Sequence, residues 1–261
     1  MFFSDTNKTW FAEIRDTFVD MDKTNFEKMV ELWHKAYYTK LILILCIFTA
    51  IIIGIKFYRK EKIYTFFLIY ISLSVLFILG AQIITILIGL YGRSSALLEE
   101  LCNTIFALVE FSTFYYFFLK VIDGKIIKLF MRILIIPFFL LCSIFFIKII
   151  DPNFNTAQII KLSFQINIIE FFLILIPCLI YFYELFTKEA SQILSKSPAF
   201  WITTGIFVYC AVSLPFLLIG DNLALNNIEL FHLMYAIHYI SFSFLFISLT
   251  KAFLCKTTLV I

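Results

Sequence analysis

The stretch Ile63–Ile88 reads IYTFFLIYISLSVLFILGAQIITILI and contains no charged residue. A helix of this length rises about 39 Å at 1.5 Å per residue, which exceeds the roughly 30 Å hydrocarbon core of a bilayer. In lipid, only a helix or a closed barrel satisfies every backbone hydrogen bond. The stretch therefore predicts a membrane-spanning helix.

Further apolar runs of similar length recur along the chain. They are Leu41–Phe57, Leu101–Phe118, Ile133–Ile150, Leu162–Phe182, Phe200–Ile219 and Leu230–Leu249. With Ile63–Ile88 they predict an all-α membrane protein, a seven-transmembrane-helix bundle. The mean hydropathy is +0.98 and only 15% of the residues are charged, against about 25% in ordinary soluble domains. A lipid bilayer is the expected environment, and the absence of a basic patch with interleaved aromatic residues argues against nucleic acid as a partner.

The basic residues of the loops predict an orientation. Twelve lie in alternate loops and the C-terminal tail, whereas three lie on the opposite side. The twelve are Lys56, Arg59, Lys60, Lys62, Lys120, Lys125, Lys128, Arg132, Lys188, Lys196, Lys251 and Lys256, and the three are Arg93, Lys148 and Lys161. Because basic loops stay in the cytoplasm, we expect a cytoplasmic C-terminus and an N-terminus outside.

The first 40 residues carry mixed charges and differ from the rest of the chain. We expect residues 1–40 to form an amphipathic helical N-terminal segment, residues 41–256 the bundle, and residues 257–261 a short tail. Apolar positions at helical spacing predict two helices in the first segment. The second starts at Thr24, where Glu27 completes a capping-box pattern. Two placements stay open, either in the plane of the membrane interface or as a lid over the outer face of the bundle.

Three prolines interrupt the apolar runs. Pro137, Pro177 and Pro215 lie inside the fourth, fifth and sixth predicted spans. Each removes one backbone hydrogen bond, so we expect bends that neighbouring helices must accommodate.

Ionisable side chains within the apolar runs are few, and three of them fall at a similar depth. Glu110, Glu170 and His238 each lie eight or nine residues from the predicted outer ends of their spans, which corresponds to about 12 to 14 Å. With Tyr209 and Gln165 they form a predicted ligand-binding site in the outer half of the bundle. Two interpretations stay open: protonated carboxyl groups that hydrogen-bond neighbouring helices, or a ligand or proton site.

The sequence contains no complete catalytic motif. A retinal protein needs a lysine near the middle of its seventh helix, whereas Lys251 lies at the end of that run. His34, His232 and His238 do not match the histidine pattern of zinc-dependent seven-helix hydrolases, and HExxH is absent. The six cysteines form no CxxC pair. We therefore expect no metal, no cofactor and no catalytic residue.

Four short segments stand out, one inside the third predicted span and three near the ends of later spans. They are Glu110-Phe111, YFYEL at Tyr181–Leu185, SPAFWITTG at Ser197–Gly205 and KAFLCK at Lys251–Lys256. These segments resemble a family of small, uncharacterised bacterial seven-span membrane proteins, and the most specific of them is the PxFWIxTG run. The resemblance covers Leu41–Lys256, so the N-terminal segment is a departure from the family. It implies a stand-alone membrane unit that works beside signalling proteins such as sensor kinases, and it implies no activity.

The start of the sixth span suggests a contact surface on the basic side of the bundle. Glu184, Lys188, Lys196 and Trp201 form a predicted partner-docking patch for a cytoplasmic protein. The alternative is simple anchoring, because a tryptophan at this position suits the aromatic belt at the membrane surface.

The function that these features favour is a non-enzymatic membrane sensor or scaffold. It would bind a small apolar or amphipathic ligand, or a partner helix, through its outer half. A transporter or channel subunit is the first alternative, with the carboxyl groups lining a conduction path. An intramembrane hydrolase is the second. The sequence assigns no oligomeric state.

Overall fold

The computed structural model describes residues 23–57, 62–91, 93–151, 156–187 and 196–255, and within these ranges every regular element longer than one turn is an α-helix. The helices are α1 (Lys23–Lys56), α2 (Lys62–Tyr91), α3 (Arg93–Val121), α4 (Lys125–Ile150), α5 (Thr156–Thr187), α6 (Pro198–Asn226) and α7 (Ile228–Leu254). The prediction of an all-α fold is confirmed.

Six of these helices, α1 and α3 to α7, are long and apolar enough to cross a membrane. In α2 the apolar part that the structure describes, Tyr64–Gly80, is shorter. Helices of this length and composition in one chain indicate a multi-pass membrane protein.

The first helix connects the predicted amphipathic segment to the first predicted span. It begins at Lys23, one residue before the predicted start at Thr24, but it runs without a break through residue 40 to Lys56. No proline or glycine precedes Gly54 in this stretch, so nothing in the sequence interrupts the backbone hydrogen bonds. The predicted boundary at residue 40, between the amphipathic segment and the bundle, lies inside this helix. The other predicted amphipathic helix and the tail at 257–261 lie outside the described residues.

Six helices pack side by side in a closed ring. Helix α1 contacts α2 and α7, α2 contacts α3, α3 contacts α5, and α5 contacts α6, which packs against α7. Helix α4 stays outside this ring and packs against α3 and α5. Its outer face exposes large apolar side chains such as Ile133, Leu140 and Ile147, as expected of a face in contact with lipid.

The proline in α5 has a partner on the neighbouring helix. Pro177 lacks an N–H group, so the carbonyl oxygen of Leu173, four residues earlier, loses its helical donor. The hydroxyl group of Tyr115 on α3 donates a hydrogen bond to this oxygen at 3.0 Å. The expectation that a neighbouring helix accommodates a proline is met here. Pro137 and Pro215 also lie within unbroken helices.

A glycine allows α6 to pack closely against α7. A Cβ atom placed on Gly205 would lie 2.7 Å from the Cβ atom of Ser248 and 3.2 Å from Leu245 Cδ1. Contacts this short leave no room for a side chain. Gly205 therefore allows the two helices to approach, which is the common use of small residues between membrane helices.

Candidate functional site

The interior of the ring contains two carboxyl groups, and the first has defined partners. Glu110 of α3 is 2% exposed. The hydroxyl group of Tyr70 on α2 donates a hydrogen bond to Glu110 Oε1 at 2.7 Å. Tyr209 of α6 is a second hydrogen-bonding neighbour of the same carboxyl group. Glu110 thus links α3 to two other helices.

The second carboxyl group belongs to Glu170 of α5, which is 1% exposed. Its Oε1 atom has no hydrogen-bond partner. The group lies within electrostatic reach of Glu110 and Tyr209 and beside the backbone of Phe111. Among the described residues, no lysine, arginine or histidine interacts with either carboxyl group. We call Glu110, Glu170, Tyr70 and Tyr209 the carboxyl cluster.

His238 of α7 joins the cluster through Tyr209 rather than through an acid. The ring centroids of His238 and Tyr209 are 5.9 Å apart. Its Nδ1 atom shares a hydrogen bond with Ser213 Oγ of α6 at 2.8 Å. The structure thus brings Glu110, Glu170 and His238 together around Tyr209. No hydrogen bond among the described residues joins His238 to a carboxyl group.

Aromatic rings hold the two tyrosines in place. The Tyr70 ring lies parallel to Phe106 and Phe246, with centroids 6.0 and 6.2 Å apart. The Tyr209 ring stacks on Phe242 at 4.7 Å and meets the edge of Phe171 at 5.1 Å. Such contacts fix the rings, so the hydroxyl groups stay directed toward the carboxyl groups.

Tyr70 was not among the residues singled out from the sequence. A tyrosine in the middle of an apolar run needs a partner for its hydroxyl group, and this is the signal that points to it. The signal is weak because the chain contains 13 tyrosines.

Gln165 does not reach the carboxyl cluster. Its side chain is exposed on another face of α5. There it lines a groove with Lys148 of α4 and Lys161 of α5. Gln165, which the sequence predicts in the same ligand-binding site, is therefore not part of the carboxyl cluster.

The predicted docking residues are partly engaged within the chain. Glu184 Oε2 accepts a hydrogen bond from the backbone N–H of Asp123, in the turn between α3 and α4, at 3.2 Å. The Nζ atom of Lys251 lies 5.9 Å from the centroid of the Trp201 ring, within the range of a cation–π contact. Lys196 is exposed, and Lys188 lies outside the described residues.

The chemistry open to the carboxyl cluster is the binding or transfer of a proton and the hydrogen bonding of a polar group. In the described part of the chain, no group of three or more His, Cys, Asp and Glu side chains could hold a metal ion. Compared with protein-family models, curated proteins and solved structures, the chain shows no significant match.

Proposed function

We propose that all seven helices cross the membrane, with the N-terminus outside and the C-terminus in the cytoplasm. Helix α2 contains 30 residues, which is about 45 Å and enough to span even when tilted. The loops after α1, α3 and α5 carry most of the basic residues, and the positive-inside rule keeps such loops in the cytoplasm. An odd number of spans then places the N-terminus on the other side.

Cysteine labelling of intact cells tests this orientation. In a background where the half-buried Cys46 and Cys102 are replaced by serine, Asn227→Cys should react with a membrane-impermeant maleimide. Arg59→Cys, its matched control, should react only after the membrane is opened. Equal labelling of the two positions in intact cells would overturn the proposed topology.

The proposed function is that of a non-enzymatic membrane sensor or scaffold whose responsive element is the carboxyl cluster. One observation carries this proposal: side chains from four helices meet there, and a fifth helix packs against them. Tyr70 comes from α2, Glu110 from α3, Glu170 from α5, and Tyr209 from α6, while His238 of α7 packs on Tyr209. A change in the cluster therefore alters contacts of five of the six helices in the ring.

The cost of burying an acid couples proton or ligand binding to the arrangement of the helices. An ionised carboxyl group without a nearby cation is costly in a low-dielectric interior, and an unpaired polar atom is also costly. Glu170 Oε1 is such an atom. Gain or loss of a proton, or entry of a ligand that offers a hydrogen bond, changes the interactions among α3, α5 and α6. A state that relieves this cost can differ in helix arrangement, which is what a sensor requires.

The partner in this proposal is a membrane signalling protein such as a sensor kinase. Its contact surface would be the basic side of the bundle, where Lys196 is exposed and Lys251 lies over Trp201. Glu184 would have a structural role there, because its carboxyl group holds the α3–α4 turn. The resemblance of the sequence to small bacterial seven-span proteins supports this choice of partner.

A proton transporter is the alternative that one observation favours. Buried acids without a basic partner often mark proton paths through membrane proteins, and Glu170 fits that description. A sensor and a transporter differ in whether protons cross the membrane.

Proteoliposomes distinguish these functions. Both proteins carry a fluorescent dye at Lys196→Cys in the same serine background. We expect a pH step to change the fluorescence of the dye on the parent. The fluorescence of the dye on Glu170→Gln should not change. A pH-sensitive dye inside the vesicles should report the same slow leak for both proteins. A proton flux in the parent that Glu170→Gln abolishes would establish the transporter instead. No response of the attached dye in the parent would overturn the proposed proton response.

A further inference from the structure

A groove lies between α4 and α5, away from the carboxyl cluster. Its volume is about 290 Å³. Both helices contribute to its wall, which combines two lysines, two glutamines and two aliphatic side chains. The lining residues are Ile144, Lys148, Gln158, Lys161, Leu162 and Gln165.

The two lysines of this groove are exceptional in the sequence. Only three basic residues of the inter-helix loops and their flanks lie opposite the basic side, and Lys148 and Lys161 are two of them. They are 13 positions apart in the chain, yet the packing of α4 against α5 brings both to one groove. Two ammonium groups in one place favour an anionic ligand. Gln158 and Gln165 add amide groups that can hydrogen-bond the same ligand.

The apolar part of the groove continues onto the outer surface of the bundle. Ile144 is 47% exposed, and one turn earlier Leu140 is 60% exposed. Both belong to α4, which lies outside the ring and presents its apolar face to lipid. The groove thus joins a basic site near a helix end to a surface suited to hydrocarbon chains.

We propose that this groove binds the phosphate headgroup of an anionic phospholipid. Lys148 and Lys161 would contact the phosphate, the glutamines would hydrogen-bond the glycerol and headgroup oxygens, and the acyl chains would lie along Leu140 and Ile144. Basic pockets between membrane helices commonly bind anionic headgroups in this way. A soluble phosphate shares the headgroup chemistry but gains nothing from the apolar surface.

Native mass spectrometry of the purified full chain with added phosphatidylglycerol tests the proposal. We expect Lys148→Gln/Lys161→Gln to bind one lipid about 30-fold more weakly than the parent, on the basis of about 1 kcal/mol per lysine. The control Lys125→Gln/Lys128→Gln removes equal charge at the other end of α4 and should bind like the parent at this site. Binding of phosphatidylcholine should be the same in all three proteins.

Two outcomes would overturn the proposal. One is an equal loss of phosphatidylglycerol binding in the test and control variants, which would indicate general charge attraction. The other is displacement of the lipid by glycerol 3-phosphate at similar concentration, which would indicate a site for a soluble anion. Should the double variant fail to fold, the exposed Lys161 provides a milder change. Lys161→Gln should weaken binding about fivefold, and unchanged binding would contradict the assignment.

Discussion

Replacing Glu110 by leucine is expected to lower the free energy of unfolding by about 1 to 3 kcal/mol. The substitution removes the acceptor of the 2.7 Å hydrogen bond from Tyr70. The Tyr70 hydroxyl group is then left in a buried apolar site, where an unmade hydrogen bond costs more than a made one contributes. Unfolding of the purified protein in detergent, followed by circular dichroism, measures the change.

Two variants separate this loss from a simple change in packing. Glu110→Gln keeps an acceptor for Tyr70 and should stay within about 1 kcal/mol of the parent. In the Glu110→Leu background, Tyr70→Phe removes the unpaired hydroxyl group and should restore part of the lost stability. Strictly additive effects of the two substitutions would show that the hydrogen bond contributes nothing to the bundle.

Replacing Glu170 by leucine is expected to act in the opposite direction. Its Oε1 atom is buried without a partner, so the substitution removes a desolvated polar group and keeps a side chain of similar volume. The free energy of unfolding should rise by about 1 to 2 kcal/mol. Glu170→Gln is the control, because it keeps a polar group at the same position and should remain near the parent. The same unfolding measurement compares the three proteins.

The fold was predictable because its signal is local. Each predicted apolar run coincides with one helix, and six of these helices are long and apolar enough to cross a bilayer. The runs carry no information about neighbours, because lipid-facing and helix-facing residues are equally apolar. The position of α4 outside the ring and the uninterrupted course of α1 through residue 40 therefore appeared only in the structure.

The sequence predicts which ionisable residues lie at a similar height in the bundle, but not the direction in which each side chain points. Counting residues from the helix ends placed Glu110, Glu170 and His238 at one level, and the structure brings them together around Tyr209. Gln165 lies five residues before Glu170, which is about 140° away around the helix axis. Gln165 accordingly points to the α4 groove. The number of residues from a helix end gives the height of a side chain but not its angle around the helix axis.

Contacts between residues distant in the chain were also beyond the sequence. Glu184 lies 61 positions from Asp123 and accepts a hydrogen bond from the backbone N–H of that residue. Nothing in the charge pattern around Glu184 indicates that partner, so the residue looked like part of an exposed patch. The bond of Tyr115 to the carbonyl oxygen freed by Pro177 is similar, because the proline predicted only that some neighbouring group would be needed.

The most direct test of the account measures two properties of Glu170→Leu, its thermal unfolding and its fluorescence response to pH. A carboxyl group kept for function should be dispensable for folding and necessary for signalling. We expect the variant to unfold at or above the temperature of the parent and to lose the pH response of the dye at Lys196→Cys. A variant that keeps the full response, or that unfolds as readily as Glu110→Leu, would contradict the account.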